Sequence, residues 1–134
     1  MSEIREIPLG ARGTFDLVVK AEHLADRFKD QLLPPVLATP FLVLIVENAA
    51  LNALKPYLPA GTTALGTRVD VQHLSATPAG RRVSAHALVT EVDGRRIVFA
   101  VEARDGDELI GRGTHERMLI DRERFDARLR KRFA

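Results

Sequence analysis

Residues 40–54 read PFLVLIVENAALNAL, an almost wholly apolar stretch with a single acid, Glu47, near its middle. The run begins behind Thr39-Pro40 and stops before Pro56 and Pro59. Threonine followed by proline is an N-cap residue followed by the proline favoured at the first helical position, and a later proline cannot continue a helix. The stretch is therefore predicted to be one helix, capped by Thr39. A helix that is apolar almost all round belongs inside a fold. It falls short of the ~20 residues of a membrane span and is interrupted by Glu47 and Asn48, so no membrane partner is expected.

What surrounds the helix reads as strands. GTFDLVV (13–19) alternates Phe15, Leu17 and Val19 against Thr14, Asp16 and Val18, the period of a half-buried strand. AEHLADRFKDQLL (21–33) is a weak helix or turn, ended by Pro34-Pro35. After the helix, TTALGTRVDVQHLSA (62–76) is a long strand expected to bend at Gly66. RRVSAHALVTEV and RRIVFAVEAR are alternating strands joined through Asp93-Gly94, a strong hairpin signal. A second tight turn, DGDE, leads into LIGRGTHERMLI, where Gly111 and Gly113 imply close approach of another backbone. DRERFDARLRKRFA (121–134) reads as a solvated, mixed-charge terminal helix. The sum is an α+β domain: an antiparallel sheet of about five strands wrapped around one long central helix, plus a C-terminal helix. One chain offers little to cover the outer sheet face and the helix ends, so a two-fold homodimer is expected.

Length and composition narrow the function. A chain of 134 residues with no repeat or low-complexity linker is expected to be one domain, 1–134, with its folded part starting near residue 10. Without cysteine, disulfides, thiol catalysis and thiolate-bound zinc are excluded. The N-terminal MSEIREIPLG has no apolar core, so no signal peptide and a cytoplasmic location are expected. A formal net charge of only +2 gives no general field for nucleic acid, and no nucleic-acid partner is expected.

Glu47 has no lysine or arginine within one helical turn on either side. A carboxylate there either lies at an interface or in solvent, or is a poised acid, base or nucleophile with a raised pKa or a partner from elsewhere in the fold. His73, on the strand after the helix, is open between a structural and a catalytic role. Thr39 is explained by capping alone, although the start of an apolar helix also presents N–H groups and positive dipole to an oxyanion. Gly66 can offer a backbone N–H to a carbonyl with no side chain in the way. Thr39 and Glu47 are about 12 Å apart along the helix axis, so a direct meeting is easier with a second subunit. His115 and Glu116 are consecutive strand residues that point to opposite faces, and no metal site is expected. The signatures of serine hydrolases, P-loops and dinucleotide folds are missing from the sequence.

Taken in order, ATPF (38–41), Glu47-Asn48, LKPYLPAG (54–61), ALGT (64–67), VQHLSATPAG (71–80), DGRR (93–96) and IGRGTHERMLID (110–121) resemble the fluoroacetyl-CoA thioesterase family of hot-dog proteins. The resemblance runs from about Leu33 to the C-terminus. It implies a hot-dog fold and hydrolysis of a short acyl-CoA, with Thr39, Glu47 and His73 as the catalytic set. It also implies substrate contacts at Gly66 and Arg117, and no metal or redox cofactor. Two positions depart from the family's pattern: Leu33 stands where an aromatic gate is expected six residues before the threonine, and Pro40 replaces a glycine. Leu33, with Phe41, is expected to line the acyl pocket. The competing readings are a hot-dog hydratase or dehydratase and a non-catalytic acyl-CoA-binding module.

Overall fold

The computed structural model describes residues 6–134; the first five residues, part of the stretch read for a leader, lie outside it. Strand β1 (Arg12–Val18) is followed by a 3-10 turn (Ala21–His23) and a one-turn helix α1 (Ala25–Phe28). The long helix α2 (Thr39–Leu54) comes next, then β2 (Thr62–His73), β3 (Arg82–Asp93), β4 (Arg96–Asp105), β5 (Glu108–Asp121) and helix α3 (Arg122–Arg132). All five strands form one antiparallel sheet in the order β1-β3-β4-β5-β2. The expected hot-dog layout is therefore realised. Both predicted tight turns form, with Gly94 and Gly106 at φ 59° where only glycine is comfortable.

The sheet packs on α2 through its inward positions. Val83, Ala85, Ala87 and Val89 on β3 and Ile97, Phe99, Val101 and Ala103 on β4 are buried against Leu42, Ile45, Val46, Ala49, Ala50 and Ala53. Burying a large aliphatic side chain contributes ~1.5–3 kcal/mol, so this interface dominates the stability of the fold. Close contact requires small residues. A Cβ on Gly13 of β1 would collide with the backbone of Ala49 and Ala53, and one on Gly113 would collide with the Asp70 backbone. Gly113 thus meets the approach expected from its sequence.

Two expectations are corrected. Helix α2 begins with Thr39 as its first helical residue; Ala38 is the cap and no side-chain capping bond forms. The threonine hydroxyl is therefore not occupied at the helix start. Nor does the chain enclose α2 on all sides: its buried residues fall on one face at three- and four-residue spacing, while Leu44 on the opposite side is 41% exposed. No helix among the described residues is long and apolar enough to cross a membrane.

The predicted bend at Gly66 is a break in register. Gly66 pairs with Arg117 of β5, but the adjacent β5 residue, Glu116, pairs with Arg68, leaving Thr67 as an extra residue on β2. Helix α3 starts with Asp121 accepting a bond from the Arg124 N–H at 3.0 Å, and it buries no residue, as its mixed charge predicts.

Candidate active site

The segment before α2 fixes where Thr39 points. The Leu37 N–H donates to the Thr77 carbonyl (2.8 Å) and the Ala38 N–H to the His23 carbonyl (2.9 Å), so both residues preceding Thr39 are anchored. At the far end of β2, the Leu74 N–H donates to the Ile110 carbonyl at 2.7 Å and holds the strand just beyond His73. Between these anchors, Thr39 Oγ1 lies 2.9 Å from His73 Nδ1. The hydroxyl left free by the cap residue thus bonds the histidine.

The other imidazole nitrogen, His73 Nε2, is buried and has no hydrogen-bond partner. Burial lowers the pKa of this ring from its ordinary value, against a smaller opposing effect of the Ser75 backbone. At neutral pH the imidazole is uncharged, with one donor and one acceptor nitrogen. Thr39 and His73 open onto a pocket of about 460 Å³, lined also by Lys29, Leu33, Leu37 and Ser75. Leu33 is therefore at the pocket wall. Phe41 is not among the lining residues: its ring packs edge-on against His23 and Phe28, with centroids 4.8 Å from each.

Glu47 belongs to a second cluster, on the flank of α2 that faces β2 and β5. Its side chain is 38% exposed in the single chain, and Oε2 lies 3.7 Å from Arg117 Nη1. Arg117 is thus a partner from elsewhere in the fold, one of the alternatives the sequence left open. Arg117 itself is buried, with Nη2 donating to the Ala64 carbonyl at 2.7 Å. Burial lowers its pKa and Glu47 opposes that effect, but a guanidinium stays charged throughout the working pH range. A buried cation needs a counter-charge, and Glu47 supplies it.

Gly66 lies between these groups. A Cβ built there would stand 2.8 Å from Glu47 Oε2, 3.3 Å from His115 Cε1 and 3.4 Å from Arg117 Nη1. The bare glycine leaves room for the carboxylate. The helix start offers less than its dipole suggests: Pro40 has no N–H, and those of Phe41 and Leu42 bond the Ala38 carbonyl. Oxyanion donors from that turn are thus reduced to the Thr39 N–H.

One member of the second cluster escaped sequence reasoning. His115 is fully buried, within 3.2 Å of Arg117 and 2.7 Å of the Arg68 carbonyl. The alternation that separates it from Glu116 holds, since Glu116 lies on the outer face and pairs with Arg96 (2.7 Å) and Arg68 (3.4 Å). The same alternation puts His115 and Arg117, two residues apart, on one face, and that was the available signal.

Residues 19–123 match the family described as fluoroacetyl-CoA-specific thioesterase. This chain belongs to that family. Over 131 residues it is 40% identical to the fluoroacetyl-CoA thioesterase of Streptantibioticus cattleyicolor, covering 92% of this chain and 93% of the relative. A solved structure of a fluoroacetyl-CoA thioesterase superposes with a TM-score of 0.86 at 38% identity, covering 94% of this chain and 97% of the other. A thioesterase superfamily member from Thermus thermophilus superposes with a TM-score of 0.87 at 30% identity, covering 96% and 97%. For this fluoroacetyl-CoA thioesterase family member, Thr39 and His73 meet directly, Glu47 meets Arg117 over Gly66, and the two groups are separated along α2.

Proposed function

We propose that this thioester hydrolase cleaves short acyl-CoA substrates, with Thr39, Glu47 and His73 as catalytic residues and Gly66, Arg117 and Leu33 around the acyl group. The observation that carries the assignment is the Thr39–His73 hydrogen bond at a pocket wall, with the second imidazole nitrogen buried and unpartnered. Water adds to the thioester carbonyl, the carbon–sulfur bond breaks, and the products are a carboxylic acid and the coenzyme A thiol. Glu47 either attacks the carbonyl, giving a mixed anhydride that water cleaves, or takes the proton of the attacking water. His73, held neutral by burial and oriented by Thr39, takes the proton released by the attacking water, directly or by way of Glu47, and passes it to the departing thiolate. The Gly66 N–H stabilises the oxyanion, a contribution of ~3 kcal/mol for one well-placed donor. Hydrolysis on this scheme uses no metal or redox cofactor.

The working unit is proposed to be a homodimer. Its support is the exposed Leu44 on the uncovered side of α2 and the separation of the Thr39–His73 pocket from Glu47 within one chain. A second copy packed on that side covers the apolar surface and brings the two groups into one site. Phe41, seated against Phe28 and His23, supports the pocket wall from behind. With Leu33 in place of an aromatic gate, acetyl-CoA and propionyl-CoA are expected to turn over about as readily as fluoroacetyl-CoA.

Thiol release across a panel of acyl-CoAs tests the assignment, with enoyl-CoA hydration and a binding assay run beside it. The expected result is thiol release that Glu47→Ala reduces by about a thousandfold or more. Hydration without thiol release, binding without turnover, or an unimpaired Glu47→Ala variant defeats the reading. Sedimentation analysis is expected to find a dimer.

A further inference from the structure

We infer that His115 is a positioning residue: it fixes the Arg117 guanidinium and, through it, the carboxylate of Glu47. The proposal rests on the reading of Glu47 as the site carboxylate. His115 Nδ1 lies 2.7 Å from the Arg68 carbonyl, which can only accept, so Nδ1 carries the proton. In a neutral ring Nε2 is then a bare acceptor, and it receives the Arg117 Nη1 hydrogen at 3.2 Å. Arg117 has its other terminal nitrogen on the Ala64 carbonyl at 2.7 Å. Two fixed acceptors thus orient the planar fork, and Glu47 Oε2 sits 3.7 Å from Nη1.

The surroundings of His115 keep it in that state. Its ring is fully buried and stacks on Phe99 of β4, with centroids 5.8 Å apart and planes 25° apart. The charged groups that act on it are Arg117 on its own strand, Glu47 from α2 and, from the outer face of β5, Glu116. Burial lowers the imidazole pKa and Arg117 adds to that effect, while the Arg68 carbonyl and the two glutamates oppose it. A second proton on Nε2 would set N–H against N–H and release Arg117. The bulge at Thr67 contributes too, because the accepting Arg68 carbonyl follows directly upon it.

The test is a pair of substitutions with a readout that needs no substrate. His115→Phe keeps the shape and the stack on Phe99 but removes the acceptor; His115→Gln offers an amide oxygen towards Arg117. His115→Phe is expected to lower kcat about 10- to 100-fold with KM changed less than about threefold, and His115→Gln to recover part of the loss. In an Arg117→Ala background, His115→Phe should cost nothing further. Independently, nitrogen NMR of the wild-type imidazole should show Nδ1 protonated and Nε2 bare at neutral pH. Full activity in a folded His115→Phe protein, losses that multiply in the double variant, or an Nε2–H tautomer overturns the inference. If the wild-type protein releases no thiol, the proposed function fails, while the tautomer still decides this point.

Discussion

At the start of helix α2, Thr39 and His73 share one hydrogen bond and face an open pocket; two turns further on, Glu47 ends a relay through Arg117 and His115 to the backbone of β2. The first cluster is held by main-chain anchors on either side and keeps a nitrogen unpartnered. The second is held by bonds that its own side chains make, to one another and to the Ala64 and Arg68 carbonyls, with Arg117 Nε left over. A buried nitrogen with no partner keeps an unused donor or acceptor beside the pocket, whereas a connected buried network rigidifies what it touches. On the proposed mechanism, the difference matches proton movement in the first cluster and fixed placement of a charge in the second.

The comparison breaks most visibly at Gly66. Gly66→Ala puts a methyl group where Glu47 Oε2 lies 2.8 Å away, and a flexible carboxylate end moves aside easily. Stability should therefore change little, while kcat drops about 100-fold because the carboxylate is displaced. Equal losses of melting temperature and kcat would show that the glycine serves the strand alone.

Thr39→Val sharpens the other half. Because Ala38 is the cap and Thr39 makes no capping bond, the substitution should cost less than the ~1 kcal/mol of a lost N-cap. Thiol release should nevertheless fall about tenfold, and Thr39→Ser should restore most of it. A marked loss of stability in thermal unfolding would return the threonine to a structural role.

Acidification separates the clusters by the smallest effect. Burial lowers the pKa of both His73 and His115 below the ordinary 6.5, so on acidification the unfolded chain takes up protons before the folded one does. Their contribution to stability is complete above about pH 6.5 and is lost as pH falls through the folded values. Melting temperature should therefore drop between pH 7 and 5. His115→Phe should flatten that profile more than His73→Phe, since only His115 is fully buried.

Much of this was legible in the sequence because the signals were local. The helix stop before Pro56, the Asp93-Gly94 hairpin and the strand alternation each have a short-range cause, and each is found where expected. The helix start was misread by one residue, because Thr-Pro fits both the cap and the first turn, and the backbone anchors at Leu37 and Ala38 decide between them. Arg117 was placed near the site by resemblance alone, and its pairing with Glu47 was not foreseen. Their pairing joins residues far apart in sequence, which no period of 2 or 3.6 can encode. His115 was missed although its parity was readable, because parity gives a face and not a neighbour.

The extra residue on β2 has a consequence for how this chain tolerates change in length. Gly66 and His73 are seven positions apart, an odd interval that would turn them to opposite sides of an unbroken strand. With Thr67 unpaired, Gly66 faces Arg117, and Val69, Val71 and His73 follow on that same side opposite His115, Gly113 and Gly111. Closing the bulge with all seven positions kept would turn the histidine away from Thr39, whereas deleting the extra residue leaves an even interval of six that a regular ladder carries on one side. Length and bulge are thus coupled in this strand, which can lose both together but neither alone.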